Sequence, residues 1–198
     1  MIYKIALTGG PCAGKTTALR EIWLFLRKKG YNVVIVPETA TELINGGITP
    51  SEIGQITFQK NLLELQIKKE EIFTKSCKQL NKDVVVVFDR GVLDGKAYLA
   101  DEEYEQILDE LNLDENELIN FYDAVIFLDS AAMSNDNIYS TSNNPARNET
   151  AKEARKINIR TQEVWNKHKL FTVIKSEADF ENKISNLLSV IENLVIKY

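Results

Sequence analysis

The sequence predicts an α/β protein in three layers, a sandwich whose parallel, doubly wound sheet of five strands lies between helices. Three observations carry that expectation. Five short apolar runs, "IYKIAL" (2–7), "NVVIVPE" (32–38), "DVVVVFDR" (83–90), "DAVIFLDS" (123–130) and "FTVIKS" (171–176), are bounded by polar residues, and their Val, Ile and Phe content suits strands covered on both faces. Patterns of helical period fill the intervals at 15–30, 51–80, about 92–120, 148–168 and 178–197, so strand and helix alternate strictly. The turn after the first run reads "GGPCAGKTT" (9–17), which is no ordinary helix start.

That turn fits G-x-x-x-x-G-K-[ST] through Gly9, Gly14, Lys15 and Thr16, with a strand before it and the amphipathic "KTTALREIWLFLRKKG" after it. It reads as the phosphate-binding P-loop of a nucleotide-dependent protein, formed by Gly9, Gly10, Pro11, Cys12, Ala13, Gly14, Lys15, Thr16 and Thr17. The glycines let successive N–H groups turn inward, and the helix behind adds its unpaired N–H groups and positive dipole end. Lys15 is expected on the β- and γ-phosphates, and the Thr16 hydroxyl on Mg²⁺.

The second run ends on Glu38, at the start of "ETATELI". The third closes on Asp89, the form of a Walker B strand whose carboxylate holds Mg²⁺ directly or through water. Where motor-type ATPases place a water-activating Glu, the next residue here is Arg90, a cation suited to phosphate. After the fourth run comes "AAMSNDNIYSTSNNPARNE" (131–149), too long for a routine connection and leaving a carboxyl end of the sheet, where ligands bind. It is read as a lid reaching to about residue 155. The last helix carries Ile184, Leu187, Leu188, Ile191, Leu194 and Val195 as a core-facing stripe.

The arginines point the same way. Only six of the 24 basic residues are Arg, and four of them are Arg90, Arg147, Arg155 and Arg160. Guanidinium binds phosphate bidentately and keeps its charge, so Arg147 and Arg155 are lid candidates for the γ-phosphate. Eight residues apart, they lie within roughly 80° on a helix. Arg160 is read as pairing with Glu163 or with solvent.

Bulk properties limit the partners. At 198 residues the chain suits one domain over 1–198. A net charge of −5 gives no basic field for nucleic acid, which leaves a small nucleotide metabolite as the partner. Cys12 and Cys77 lack disulfide or metal spacing, and neither a signal peptide nor a membrane-length apolar run is present, so a cytoplasmic setting is expected. The lone His168 reads as structural, and the acidic stretch 101–117 as a solvated helical face. Oligomeric state is left open.

Together, "GGPCAGKTT", "VPETAT", "TFQKNLLELQ", "FDRGVLDGKAY" and "NPARNETAKEAR" resemble the compact P-loop kinase-like, AAA-like ATP-binding family that includes ribosylnicotinamide kinase domains, and more distantly the deoxynucleoside kinases. The resemblance covers nearly the whole chain and implies strand order 2-3-1-4-5. It also implies Mg²⁺- and ATP-dependent phosphoryl transfer, with GTP as the other candidate donor, to a hydroxyl of a nucleoside or pyridine riboside. By the same resemblance Glu38 takes the acceptor proton, Arg90 contacts phosphate or acceptor, and Gln59 hydrogen-bonds a nucleobase. Asp94, with Tyr98 one turn beyond, is a further candidate near the acceptor. One departure is the lid segment "NIYSTSNNPARNE" (137–149), which has Tyr139 and no acid before Arg147 where ribosylnicotinamide kinase domains carry an acidic, Trp-containing segment. The acceptor is therefore unnamed.

The alternative is a regulatory ATP- or GTP-binding protein with slow hydrolysis and lid-based switching. A GTPase would carry Asn-Lys-x-Asp and, after the Walker B strand, Asp-x-x-Gly, whereas "NKDV" (81–84) has its Asp one position early and precedes the wrong strand.

Overall fold

A computed structural model describes residues 1–130, 151–177 and 179–195. The expected lid over 131–149, with Arg147, lies outside the described residues. Five parallel strands form one sheet: β1 (Ile2–Gly9), β2 (Asn32–Val36), β3 (Val84–Asp89), β4 (Ala124–Leu128) and β5 (Phe171–Ile174), in the order β2-β3-β1-β4-β5. The register pairs Leu7 with Asp89 and Gly9 with Leu128, which brings the ends of β3 and β4 to either side of the P-loop.

Side chains alternate across each strand, so one continuous apolar run supplies two cores. Ile5, Leu7, Val85, Val87, Ile126 and Leu128 face α1 (Lys15–Lys28) and α8 (Phe180–Val195), which contribute Ile22, Leu26, Leu187 and Ile191. Ala6, Val86, Phe88 and Val125 face the other layer. There α4 (Gln55–Lys78) supplies Leu63, α5 (Asp101–Leu111) supplies Tyr104 and Ile107, and α7 (Ala151–Trp165) supplies Trp165. Three layers result.

Two expected helices are broken, and one break in each falls at a residue with positive φ. The helix expected at 51–80 divides at Gly54 (φ +84°) into α3 (Pro50–Ile53) and α4. The one expected over about 92–120 becomes a 3₁₀ helix (Asp94–Tyr98), α5 and α6 (Glu115–Ile119). Asn112, at φ +51°, ends α5, and the Asp114 carboxylate accepts from the Glu117 N–H to start α6. Glu38 is followed by a separate short helix, α2 (Thr39–Asn45). Acidic side chains of α5 face water while Tyr104, Ile107 and Leu108 are buried, as the expected solvated face requires. Among the described residues no helix is long and apolar enough to cross a membrane.

Candidate active site

The P-loop runs from the end of β1 into α1. Gly9 sits at φ +149° with no room for a side chain, since a Cβ there would stand 2.2 Å from the Leu128 carbonyl oxygen. Gly14 is left-handed, at φ +85°, directly before α1. Cys12 also has positive φ, so its backbone shapes the turn. The Lys15 side chain is buried and its Nζ donates to the carbonyls of Gly9 (3.3 Å) and Gly10 (3.4 Å). An ammonium folded over its own loop is placed to exchange those carbonyls for phosphate oxygens. Thr16 and Thr17 are exposed in the first turn of α1, whose opening N–H groups lack helical partners.

Asp89 ends β3 beside the P-loop. Its Oδ1 is buried and has no hydrogen-bond partner among the described residues. Burial raises the pKa of its carboxyl, and the nearby Lys15 charge opposes that. A buried carboxylate oxygen with no partner among the described residues, at the strand end beside the P-loop, and the Thr16 hydroxyl in the first turn of α1 are hard oxygen donors of the kind that suits Mg²⁺. Among the described residues no group of three or more His, Cys, Asp or Glu side chains could hold a metal alone. Magnesium in such sites takes one or two carboxylates and completes its shell with phosphate and water, so the site fits that ion.

Arg90 follows in a left-handed conformation, φ +76°, which a non-glycine residue keeps only where its surroundings over-determine it. Its N–H extends the ladder to the Leu7 carbonyl at 3.0 Å. Nε donates to Glu38, and Nη1 donates to the Gly9 carbonyl at 3.2 Å and to Asp94 Oδ2 at 3.3 Å. Burial works against the guanidinium charge, but Glu38, Tyr98 and Asp94 outweigh it and the group stays cationic. Glu38 stands directly before α2 and accepts a second bond from Thr41 Oγ1 at 2.6 Å. Burial alone would raise its pKa; the charges of Arg90 and Lys15, with the Thr41 and Arg90 hydrogen bonds, hold it at about 2.

Asp94 is buried. Oδ2 accepts from Thr8 Oγ1 at 2.6 Å as well as from Arg90, and Oδ1 accepts from Trp165 Nε1 at 2.8 Å. Both oxygens thus hold protein donors and the residue orients Arg90, while Asp94 also lines the cavity beside that arginine. Trp165 closes over this loop so tightly that a Cβ on Gly91 would lie 2.3 Å from its ring.

Glu38 and Arg90 stand at one end of a cavity of about 500 Å³ between α2, α4 and the 3₁₀ helix. Phe58, Leu62, Leu63 and Tyr104 give it an apolar lining. Gln59 also lines it, and its buried Oε1 has no partner among the described residues. Gln59 is therefore no solvated helix residue, and its carbonyl oxygen is available to an N–H donor.

Other sequence expectations fall elsewhere. Arg155 is on the first turns of α7, half-buried. Arg160 pairs with Asp101 at 2.9 Å and not with Glu163. His168 is buried and structural: Nδ1 accepts from the Leu170 N–H at 3.1 Å, which leaves Nε2 to donate to the Tyr122 carbonyl at 3.0 Å. Sequence reasoning missed Thr8, Asn158, Trp165 and Lys183, all within the shell of the site. Asn158 and Trp165 had a signal, since Ala154, Asn158, Thr161 and Trp165 recur at helical spacing and all are buried.

A search of curated proteins finds no match. Among solved structures, the chain is similar to deoxyadenosine kinase from M. mycoides with bound dATP, at 20% sequence identity and a TM-score of 0.62, over 96% of this chain and 99% of that one. That likeness shows the P-loop kinase fold, with the same span from end to end. Residues 4–183 match the AAA domain family. The chain belongs to that family, as a P-loop protein of kinase-like fold.

Proposed function

We propose that this protein transfers the γ-phosphoryl group of Mg²⁺·ATP to a hydroxyl of a small metabolite, a nucleoside or pyridine riboside. The observation that carries the proposal is the position of the Glu38–Arg90 pair, between the Gly9 carbonyl of the P-loop and a cavity of about 500 Å³. A switch that only hydrolyses nucleotide has no use for such a cavity. The likeness to a deoxyadenosine kinase supports the reading.

The P-loop N–H groups and Lys15 bind the phosphates, and Thr16 and Asp89 would hold Mg²⁺, which would supply neutralising charge to the phosphates. The acceptor lies in the cavity with its base edge toward Gln59 and its hydroxyl against Glu38. Ionised at any physiological pH, Glu38 accepts a hydrogen bond from that hydroxyl throughout the reaction. As the acceptor oxygen bonds to the γ-phosphorus, the bond to the bridging oxygen breaks and ADP leaves. The hydroxyl proton passes to Glu38 late, when the oxygen has become acidic, so a base of low pKa suffices. Arg90 stabilises the transferred charge, and Arg147 and Arg155 add cations from the lid side.

The test is a panel of nucleosides, pyridine ribosides and small sugars with ATP and Mg²⁺, read by product mass. At least one phosphorylated product is expected, and Lys15→Ala should lose it together with nucleotide affinity. Stimulation by no acceptor, with stimulation by a protein partner, would favour the regulatory reading.

A further inference from the structure

The P-loop is gripped from outside by side chains that the proposed chemistry does not use. Ser130 Oγ donates to the Pro11 carbonyl, and Asn158 of α7 packs against Gly10, where a Cβ would stand 2.4 Å from its Oδ1. Phe180, in the first turn of α8, covers Gly14. One turn further along α8, Lys183 Nζ donates to the Ala13 carbonyl at 2.9 Å and to the Asp129 carbonyl at 2.5 Å.

Lys183 is 4% exposed and begins the buried stripe Lys183, Leu187, Ile191 and Val195. An ammonium in such a place costs desolvation that Met or Leu would avoid, so its retention calls for a use. The peptide group supplies one. In a trans peptide the carbonyl and the following N–H point in opposite directions, so a carbonyl held outward turns that N–H inward. Lys183 holds the Ala13 carbonyl, and the N–H so directed is that of Gly14, in the middle of the phosphate-binding turn.

We propose that Lys183 is a positioning residue for nucleotide phosphates, aiming the Gly14 N–H into the P-loop and placing a fixed positive charge behind it. The inference rests on the P-loop binding nucleotide and is independent of which acceptor is phosphorylated. Burial lowers the pKa of Lys183 to about 8, against the opposing pull of Asp129. Around it, the Asp129 carboxylate accepts from Asn158 Nδ2 and from the Ser130 N–H, Lys15 is the other cation of the loop, and α7 presents the neutral Asn158 amide. The charge behind the loop is accordingly lost under mildly alkaline conditions. Bound phosphate holds the proton on, and nucleotide affinity falls as pH rises through and beyond about 8.

The test is the dissociation constant of Mg²⁺·ADP between pH 7.5 and 9.5 for the wild type, Lys183→Arg and Lys183→Met, with each fold checked by thermal melting. Phosphate itself is fully ionised over this range, its last ionisation lying near 6. Wild-type affinity is expected to fall on the order of tenfold, a proton-linked loss of about one pKa unit. Lys183→Arg should lose less than about threefold, because guanidinium does not titrate there, and Lys183→Met should be about tenfold weaker at pH 7.5 with a flat profile. A purely structural lysine would not give the wild type a slope that Lys183→Arg lacks. Identical slopes in all three proteins, or wild-type affinity in Lys183→Met, would overturn the inference. A wild type that binds no Mg²⁺·ADP at any pH would instead overturn the nucleotide reading beneath it, and the inference with it.

Discussion

Replacing Glu38 with Gln keeps its size and its hydrogen-bonding oxygen while removing the charge that faces Arg90. The consequence for stability can be worked from the site. Moving a carboxyl from its ordinary 4.5 to about 2 corresponds to about 3 kcal/mol of preference for the charged form. Both side chains are mostly shielded, with 21% of Glu38 and 13% of Arg90 exposed, so solvent screening takes little from that figure. The folded-state pKa lies below the unfolded one. The contribution is therefore complete above about 4.5 and is lost as pH falls toward 2. At pH 3 the unfolded carboxyl is already protonated while the folded one is still ionised, and about 1 kcal/mol remains. Urea unfolding of wild type and Glu38→Gln at pH 7 and pH 3 should show the cost of substitution shrinking from about 3 to about 1 kcal/mol. A cost equal at the two pH values, or near zero at pH 7, would refute the assignment of a charge-stabilised Glu38–Arg90 pair.

Two further substitutions probe the surroundings. Gly91→Ala places a methyl 2.3 Å from the Trp165 ring, which is fully buried and packed edge-on against Tyr122. Displacing the ring also strains its bond to Asp94, so a loss of about 2–4 kcal/mol is expected in denaturant melts, and a loss under 0.5 kcal/mol would contradict the packing. Gln59→Leu removes a buried oxygen with no partner among the described residues, so stability should hold or rise by up to about 1 kcal/mol. The KM for the acceptor should rise by roughly tenfold or more. Lower stability with an unchanged KM would assign Gln59 to the fold alone.

The sheet was legible in the sequence because each strand is an apolar run, covered on both faces, that needs no partner information to be recognised. The P-loop was legible because its glycines and Lys-Thr pair answer a local geometric demand. The protein donors on Asp94 were not legible, because nothing local reveals that Thr8, 86 residues away, and Trp165, 71 residues away, would bond its oxygens. Long-range satisfaction of a buried carboxylate leaves no periodic trace. Gln59 was reached only through the family resemblance, since burial against a cavity differs from burial in a core only in three dimensions. Lys183 is the instructive miss. It falls four residues before Leu187 on the apolar stripe of α8, and a lysine in phase with a buried stripe is itself a signal that something polar waits at that depth.

The central claim is phosphoryl transfer to a bound acceptor, and the most direct measurement follows where the γ-phosphoryl group goes. With γ-labelled ATP, Mg²⁺ and the best acceptor from the panel, label is counted on the acceptor and in inorganic phosphate. Most of the label should be on the acceptor, ATP turnover without acceptor should be slow, and Glu38→Gln should reduce transfer by on the order of 10²–10⁴ with ATP affinity little altered. Label recovered only as inorganic phosphate, at a rate indifferent to every acceptor and to Glu38, would contradict the account.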